Sequence, residues 1–308
     1  MKKRKILVTG GTGMLGRSLK AIIPDAQYLS SEDCDLTNLE ESINFFKNQK
    51  PDIVIHAAAR VGGIVANMSS PVEFLEDNIY INTNTCKASY LSGVKKFIGV
   101  LSTCIYPDSL ESNLYPMSEK QLFNGPPPQQ NFAYAYAKRS LAVQIQSYRE
   151  QYKLDNWCYI IPCNLYGEYD KFDFQRSHFV SALIDKIYNS KNNKINLLGT
   201  GKPLRQFMYS ADLALALKCL IDKDIYKDFN IATSEVLSID EITNVALKSL
   251  NCDNFEVDYT NIKNEDGNFR KDVSSEKFLR YFPNFRFTPL SDGIKKVYKH
   301  YEKNYREI

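Results

Sequence analysis

Metal-binding patterns are missing from this chain: its seven cysteines include no C-x-x-C pair, and it has only three histidines. The odd cysteine number also argues against a closed disulfide framework, so Cys34, Cys86, Cys104, Cys158, Cys163, Cys219 and Cys252 read as free thiols in a reducing compartment. Six of them read as core filler, with Cys104 the exception. No apolar run reaches the length of a membrane span, and no signal-peptide core precedes the first predicted strand. A cytoplasmic protein is expected. Charge of one sign is scarce too: a net +3 in a 35.3 kDa chain is too small and too dispersed for a nucleic-acid footprint, and the opening run MKKRK reads as a solvated lead-in. Repeats and low-complexity tracts are absent. What the chain does have is apolar content, 44% over 308 residues, enough for one packed unit with a smaller second lobe.

The pattern that is present begins at Lys5. KILVTGGTGMLGRSL reads as a buried strand, a glycine turn and a helix, with Gly10, Gly13 and Gly16 spaced G-x-x-G-x-x-G. Such a turn lets the backbone approach a pyrophosphate and presents helix N–H groups to it. AQYLSSEDCDLTN reads as a second strand followed by Asp35 and Leu36, PDIVIHAAA as a third, VKKFIGVLSTCIYP as a fourth ending in small polar residues, and NWCYIIPCNLYG as a further one. Strands alternating with helical stretches predict an α/β, Rossmann-like, doubly wound parallel sheet. Gly10, His56 to Arg60 and Ser102 to Cys104 then share its carboxyl edge, where ligands of such sheets sit. The long helix from about Pro71 to Gly93 carries Asn78, Asn82 and Asn84.

Tyr134 and Lys138, in NFAYAYAKRS, stand four residues apart and so share one face of a helix. A cation fixed beside a phenol favours the phenolate, which predicts proton exchange with a substrate oxygen near neutrality, the chemistry of a carbonyl reductase. Ser102 and Thr103 read alone as caps of a turn; joined to Tyr134 and Lys138, the serine completes a set that polarises a ketone, protonates it and orders the ribose. His178 opens an amphipathic helix and reads either as a capping residue or as a proton carrier. Arg205 follows a glycine turn ahead of a capped helix near Ser210 and Asp212. It can pair with a diphosphate through its planar fork or sit in a surface salt bridge.

Taken together, these segments resemble the GDP-L-fucose synthase family of extended short-chain reductases, from Lys5 to about Tyr301. The resemblance is carried by AARVGGIVAN (58–67), LSTCIYPD (101–108), NGPPPQQNFAYAYAKR (124–139), IPCNLYG (161–167), SHFVSALI (177–184), GTGKPLRQFMYSADLA (199–214) and FRFTPL (285–290). It implies reduction by Ser102, Tyr134 and Lys138, epimerisation by Cys104 and His178, and a GDP-sugar held by Asn164, His178, Arg205 and Lys271. It further implies NADP(H), with cofactor contacts expected at Gly10, Thr12, Gly13, Met14, Leu15, Gly16, Asp35, Leu36, Ala57, Ala58, Ala59, Tyr134, Lys138, Pro162, Asn164 and Leu165. Residues 1–167, with later segments returning, are expected to form the dinucleotide domain, and 168–308 mainly the nucleotide-sugar lobe. No metal, membrane or nucleic-acid partner is expected.

The resemblance also implies a homodimer built on the helix before Gly93 and the helix of Tyr134, for which Leu141, Val143 and Ile145 are candidate apolar positions. Three departures stand out. Gly167-Glu168-Tyr169-Asp170-Lys171-Phe172 replaces the family's usual Gly-Pro-His-Asp-Asn-Phe, Asn264-Glu265-Asp266-Gly267 replaces Lys-Pro-Asp-Gly, and Cys163 replaces a threonine. The first bears on which 4-keto sugar is accepted. The leading function is therefore an NADPH-dependent 4-ketoreductase of a GDP-4-keto-6-deoxy sugar with 3,5-epimerase activity; the alternatives are a reductase alone, acting on a GDP-4-keto-heptose, and a dinucleotide sensor without catalysis.

Overall fold

Short apolar strands that alternate with helices hide both of their faces only in a parallel sheet covered on each side. The computed structural model describes residues 4–172, 177–262 and 266–305, so the first three residues of MKKRK, and Asn264 and Glu265, lie outside the described residues. The chain runs β1 (Ile6–Thr9), α1 (Met14–Ile22), β2 (Gln27–Leu29), α2 (Leu39–Gln49), β3 (Ile53–His56), α3 (Ile64–Ser69), α4 (Pro71–Leu91), β4 (Lys96–Val100), α5 (Phe132–Tyr152) and β5 (Trp157–Pro162). It continues through β6 (Asn164–Tyr166), α6 (Phe179–Asn189), β7 (Lys194–Leu197), β8 (Leu204–Arg205), β9 (Phe207–Tyr209), α7 (Ser210–Asp222), β10 (Phe229–Ile231), β11 (Leu237–Ser238), α8 (Ile239–Ser249), β12 (Glu256–Tyr259), α9 (Glu276–Tyr281) and α10 (Leu290–Tyr305).

Six strands form the parallel sheet in the order β10-β5-β4-β3-β1-β2, a Rossmann-like α/β fold. The chain steps from β1 outward to β2 and then back across β1 to β3. That reversal opens a crevice beyond the carboxyl ends of β1 and β3. The sheet's core includes Val8, Ile53, Ile55, Phe97, Trp157 and Ile160, all wholly buried. A second apolar core gathers Tyr166, Val180, Leu183, Phe207, Ile242, Ile294 and Val297 from later segments.

Several local expectations are corrected. NWCYIIPCNLYG is not one strand: Pro162 has no N–H to continue the ladder, and after Cys163 the chain forms β6, which pairs with β9 in a separate sheet. VKKFIGVLSTCIYP stops as a strand at Val100, and Ser102 caps a single 3-10 turn, Thr103–Ile105. The helix beginning at Ser210 has no side-chain cap. Instead, the Ser210 hydroxyl meets that of Ser18 at 2.8 Å, and Asp212 accepts from Thr288 N–H and Oγ1–H at 2.6 and 2.8 Å. Cys219 and Cys252 are half-buried and pack against the two apolar cores from outside, whereas Cys34, Cys86, Cys158 and Cys163 are buried. Leu141 and Ile145 are wholly buried, so only Val143 of the three candidate positions faces outward. Their side chains lie on Gly99 of β4, where a Cβ would stand 2.7 Å from Ile145 Cδ1.

Candidate active site

A cavity of about 1560 Å³ occupies the crevice. Its lining brings together every residue nominated above for cofactor, substrate and catalysis, from the glycine turn through Ser102, Cys104, Tyr134 and Lys138 to His178, Arg205 and Lys271. The three glycines are there for different reasons. Gly10 has φ +72°, and a Cβ on it would stand 2.9 Å from the backbone of Ala58; a Cβ on Gly16 would collide with the Gly10 carbonyl. Gly13 has an ordinary φ of −76°, and the nearest atom to its would-be Cβ is Gly10 O at 3.4 Å. It begins α1 with no side-chain cap, leaving the helix's first N–H groups without that partner beside the cavity.

The three asparagines of α4 are buried, and each fastens a strap of the cavity wall. Asn78 exchanges hydrogen bonds with both backbone groups of Arg60, Asn82 Nδ2 donates to Ala137 O on α5, and Asn84 Nδ2 donates to Leu36 O and Thr37 O. Asn82 thereby presents Oδ1 to His56 Nε2 at 3.0 Å, while His56 Nδ1 meets Thr9 Oγ1 at 2.8 Å and Thr9 Oγ1 accepts from Ala58 N–H. This wiring puts the single ring proton on Nε2. Burial, with the Lys138 charge nearby, lowers the His56 pKa to about 3, so the ring stays neutral. Sequence reasoning placed these residues without assigning them this work; three asparagines inside one helix were the available signal.

Tyr134 and Lys138 share one face of α5, and Lys138 Nζ donates to Val100 O at 3.1 Å. The phenolate expected from their spacing is not what the site favours. Burial raises the Tyr134 pKa far above its usual value and lowers that of Lys138 to about 8, because each charged form loses its water. The phenol is therefore held protonated. Burial likewise raises the Cys104 thiol, against the pull of Lys271, the Ser102 hydroxyl and Lys138. Cys104 is 2% exposed, and its backbone N–H donates to Ser102 Oγ at 3.4 Å.

Opposite in origin, if not in function, are the residues from the second half of the chain. His178 is the N-cap residue of α6, and its Nδ1 meets the two carboxylate oxygens of Asp170 at 2.9 and 3.1 Å. Arg205 donates to Leu204 O and Asp266 O at 2.9 and 3.0 Å, both backbone carbonyls, and burial lowers its pKa to about 10. The surface salt bridge considered for it is not formed among the described residues. Burial also lowers the Lys271 pKa, so Arg205 and Lys271 join Lys138 as desolvated cations of the cavity. Arg17, Ser30, Ser31, Glu168, Tyr169, Asp170, His300 and Asn304 line the cavity as well and were not nominated. Arg17, directly after Gly16, was open to discovery from the motif. His300 and Asn304, on the last helix, carried no local signal. Among the described residues, no group of three His, Cys, Asp or Glu side chains could hold a metal ion, and no helix is long and apolar enough to cross a membrane.

A parallel sheet with a glycine turn at its first strand, a helix bearing Tyr-x-x-x-Lys and the half-buried Ser102 hydroxyl lining the same cavity define a dinucleotide-dependent oxidoreductase of the extended short-chain type. More narrowly, the chain belongs to the NAD dependent epimerase/dehydratase family, whose family model matches residues 6–232, and within it to the GDP-L-fucose synthase family. It is 35% identical over 321 residues to a probable GDP-L-fucose synthase of Drosophila melanogaster, with 98% of each chain covered. To the GDP-L-fucose synthase of Dictyostelium discoideum it is 36% identical over 315 residues, covering 98% of this chain and 97% of that one. The crystal structure of a GDP-L-fucose synthetase from Naegleria fowleri bound to NADP superimposes with a TM-score of 0.87 at 33% identity, covering 100% of this chain and 96% of that one. The resemblance read in the sequence is borne out.

Proposed function

We propose that the protein is an NADPH-dependent 4-ketoreductase of a GDP-4-keto-6-deoxy sugar and epimerises C3 and C5 of that sugar in the same cavity. The observation that carries this reading is the single cavity, which joins the glycine turn, the Ser102–Tyr134–Lys138 set and the Cys104–His178 pair. A dinucleotide fits the residues present. Neither backbone strain nor protein packing requires Gly13 to lack a side chain, so its open face and the N–H groups of α1 suit a pyrophosphate. The nominated residues from Gly10 to Gly16, Asp35, Leu36, Ala57 to Ala59, Pro162, Asn164 and Leu165 would hold the cofactor. When bound, NADPH supplies the hydride for C4.

The chain's own groups supply the protons. Ser102 polarises the C4 ketone, and Tyr134, kept protonated by burial, delivers the proton to its oxygen; Lys138 then stabilises the phenolate that remains. A C4 ketone acidifies the hydrogens at C3 and C5. Cys104 and His178 serve as acid and base on the enolised sugar, and the desolvated Arg205 and Lys271 hold the diphosphate of GDP. The second apolar core supports reading 168–308 as mainly the nucleotide-sugar lobe, with α7, β10 and α9 returning to the core of the sheet. A homodimer remains the proposed assembly, now resting on exposed Leu75 and Tyr80 of α4 and Phe132, Tyr136 and Val143 of α5; a monomeric mass in light scattering would sink it. Seven free cysteines support a cytoplasmic location.

NADPH oxidation with GDP-4-keto-6-deoxymannose tests the reading, and no turnover with that sugar or any related keto sugar overturns it. A second reading, C4 reduction alone on a GDP-4-keto-heptose, is favoured by Glu168 and Tyr169, which line the cavity where the family usually has Pro and His. Faster turnover of the keto-heptose, with no solvent exchange at C3 or C5, would select it.

A further inference from the structure

Asp170 stands eight residues before His178, in the loop that follows β6, and its carboxyl group is 4% exposed. The oxygens of this buried carboxylate are fully engaged. Oδ1 accepts from His178 Nδ1 at 2.9 Å and from Lys171 N–H at 2.9 Å, and Oδ2 accepts from Ser181 Oγ–H at 2.6 Å and lies 3.1 Å from His178 Nδ1. A carboxylate only accepts, so the His178 proton sits on Nδ1. Nε2 is then the one ring nitrogen able to take a proton up. Ser181 belongs to the first turn of α6, which His178 itself begins, so carboxylate, imidazole and helix end form one rigid unit.

We propose that Asp170 is the positioning residue for His178: it holds the ring in the tautomer whose Nε2 is basic and stabilises the imidazolium formed when that nitrogen accepts a proton from C3 or C5 of the sugar. This rests on the reading of His178 as an acid–base group of epimerisation. The atoms balance simply, since the C–H bond breaks, an N–H bond forms on Nε2, and the electron pair moves into the enolate of the C4 ketone. Desolvation pulls the His178 pKa down, and the hydrogen bond and charge of Asp170 outweigh it and the opposing Lys171 charge, leaving the ring above its usual value.

With only three histidines, and His56 held neutral, NMR titration of the ring C2 protons reads His178 directly, assigned by the signal lost in His178→Asn. The expected result is a His178 midpoint above about 6.5 in the wild type, lowered by about one unit in Asp170→Asn, where the charge is gone and the shape kept. Asp170→Glu, which restores the charge, recovers most of the shift. At pH near 7, deuterium incorporation at C3 and C5 falls on the order of 10²-fold in Asp170→Asn, far more than reduction of a pre-epimerised ketone falls. The acid limb of the exchange profile moves with the titration. A midpoint and an exchange rate both unmoved in Asp170→Asn overturn the role of Asp170. No exchange in the wild type overturns the epimerase reading instead.

Discussion

The two walls of the cavity are built in different ways. The wall at the glycine turn comes from adjoining β–turn–α segments whose straps are tied by backbone close approach and by the buried asparagines of α4. The other wall draws Asp170, His178, Arg205 and Lys271 from a hundred residues of chain; there Asp170 holds His178, and two backbone carbonyls hold Arg205. The first wall is a preformed cradle, in which a new side chain meets backbone. The second is a set of charged and polar groups that includes the buried Asp170, in which a new side chain changes a proton's energy. Variants on the two walls should therefore fail differently.

The largest effect is expected where the walls meet. Tyr134→Phe should lower turnover on the order of 10²-fold or more, with NADP+ binding by calorimetry little changed, whereas Lys138→Ala should damage both. A wild-type reduction rate in Tyr134→Phe would remove the central assignment. Cys104→Ser sharpens the contrast: deuterium exchange at C3 and C5 should fall on the order of 10²-fold, while a pre-epimerised ketone is still reduced. Equal losses in the two assays would show that the thiol serves both steps.

Stability measurements test the glycine-turn wall without any substrate. His56 is buried neutral, with its pKa lowered from 6.5 to about 3, so between those values the unfolded chain binds a proton that the folded chain refuses. Its stability contribution is present above pH 6.5 and is lost as pH falls, by about 1.4 kcal/mol per unit. Urea unfolding of wild type and His56→Gln between pH 7 and 4 should show the wild type losing more; parallel curves would mean that the ring does not stay neutral. The smallest expected effect separates two glycines. Gly16→Ala forces backbone against backbone and should destabilise by about 1–3 kcal/mol, while Gly13→Ala should leave the melting temperature nearly unchanged and weaken NADP+ binding. A Gly13→Ala protein that binds NADP+ as the wild type does would show that no ligand approaches there.

The sequence by itself determined the strand–turn–helix at Gly10, the parallel sheet, the pairing of Tyr134 with Lys138 on one helix face, and the family. Each depends on chain-local geometry: a turn that only glycine allows, apolar runs with no polar face, and a spacing of four on a helix. Only the tertiary structure decided the rest. Leu141 and Ile145 looked available for a partner and are instead wholly buried over Gly99. Tyr134 looked poised to ionise, but burial holds its proton in place. Asp170 looked like one residue of a divergent loop, yet it grips His178. Periodicity shows that a face is apolar without naming what covers it, and spacing brings charges together without revealing how much water remains around them. Desolvation is set by the packing of distant segments, and at Tyr134 and Lys138 it outweighs the local pairing that the sequence displays.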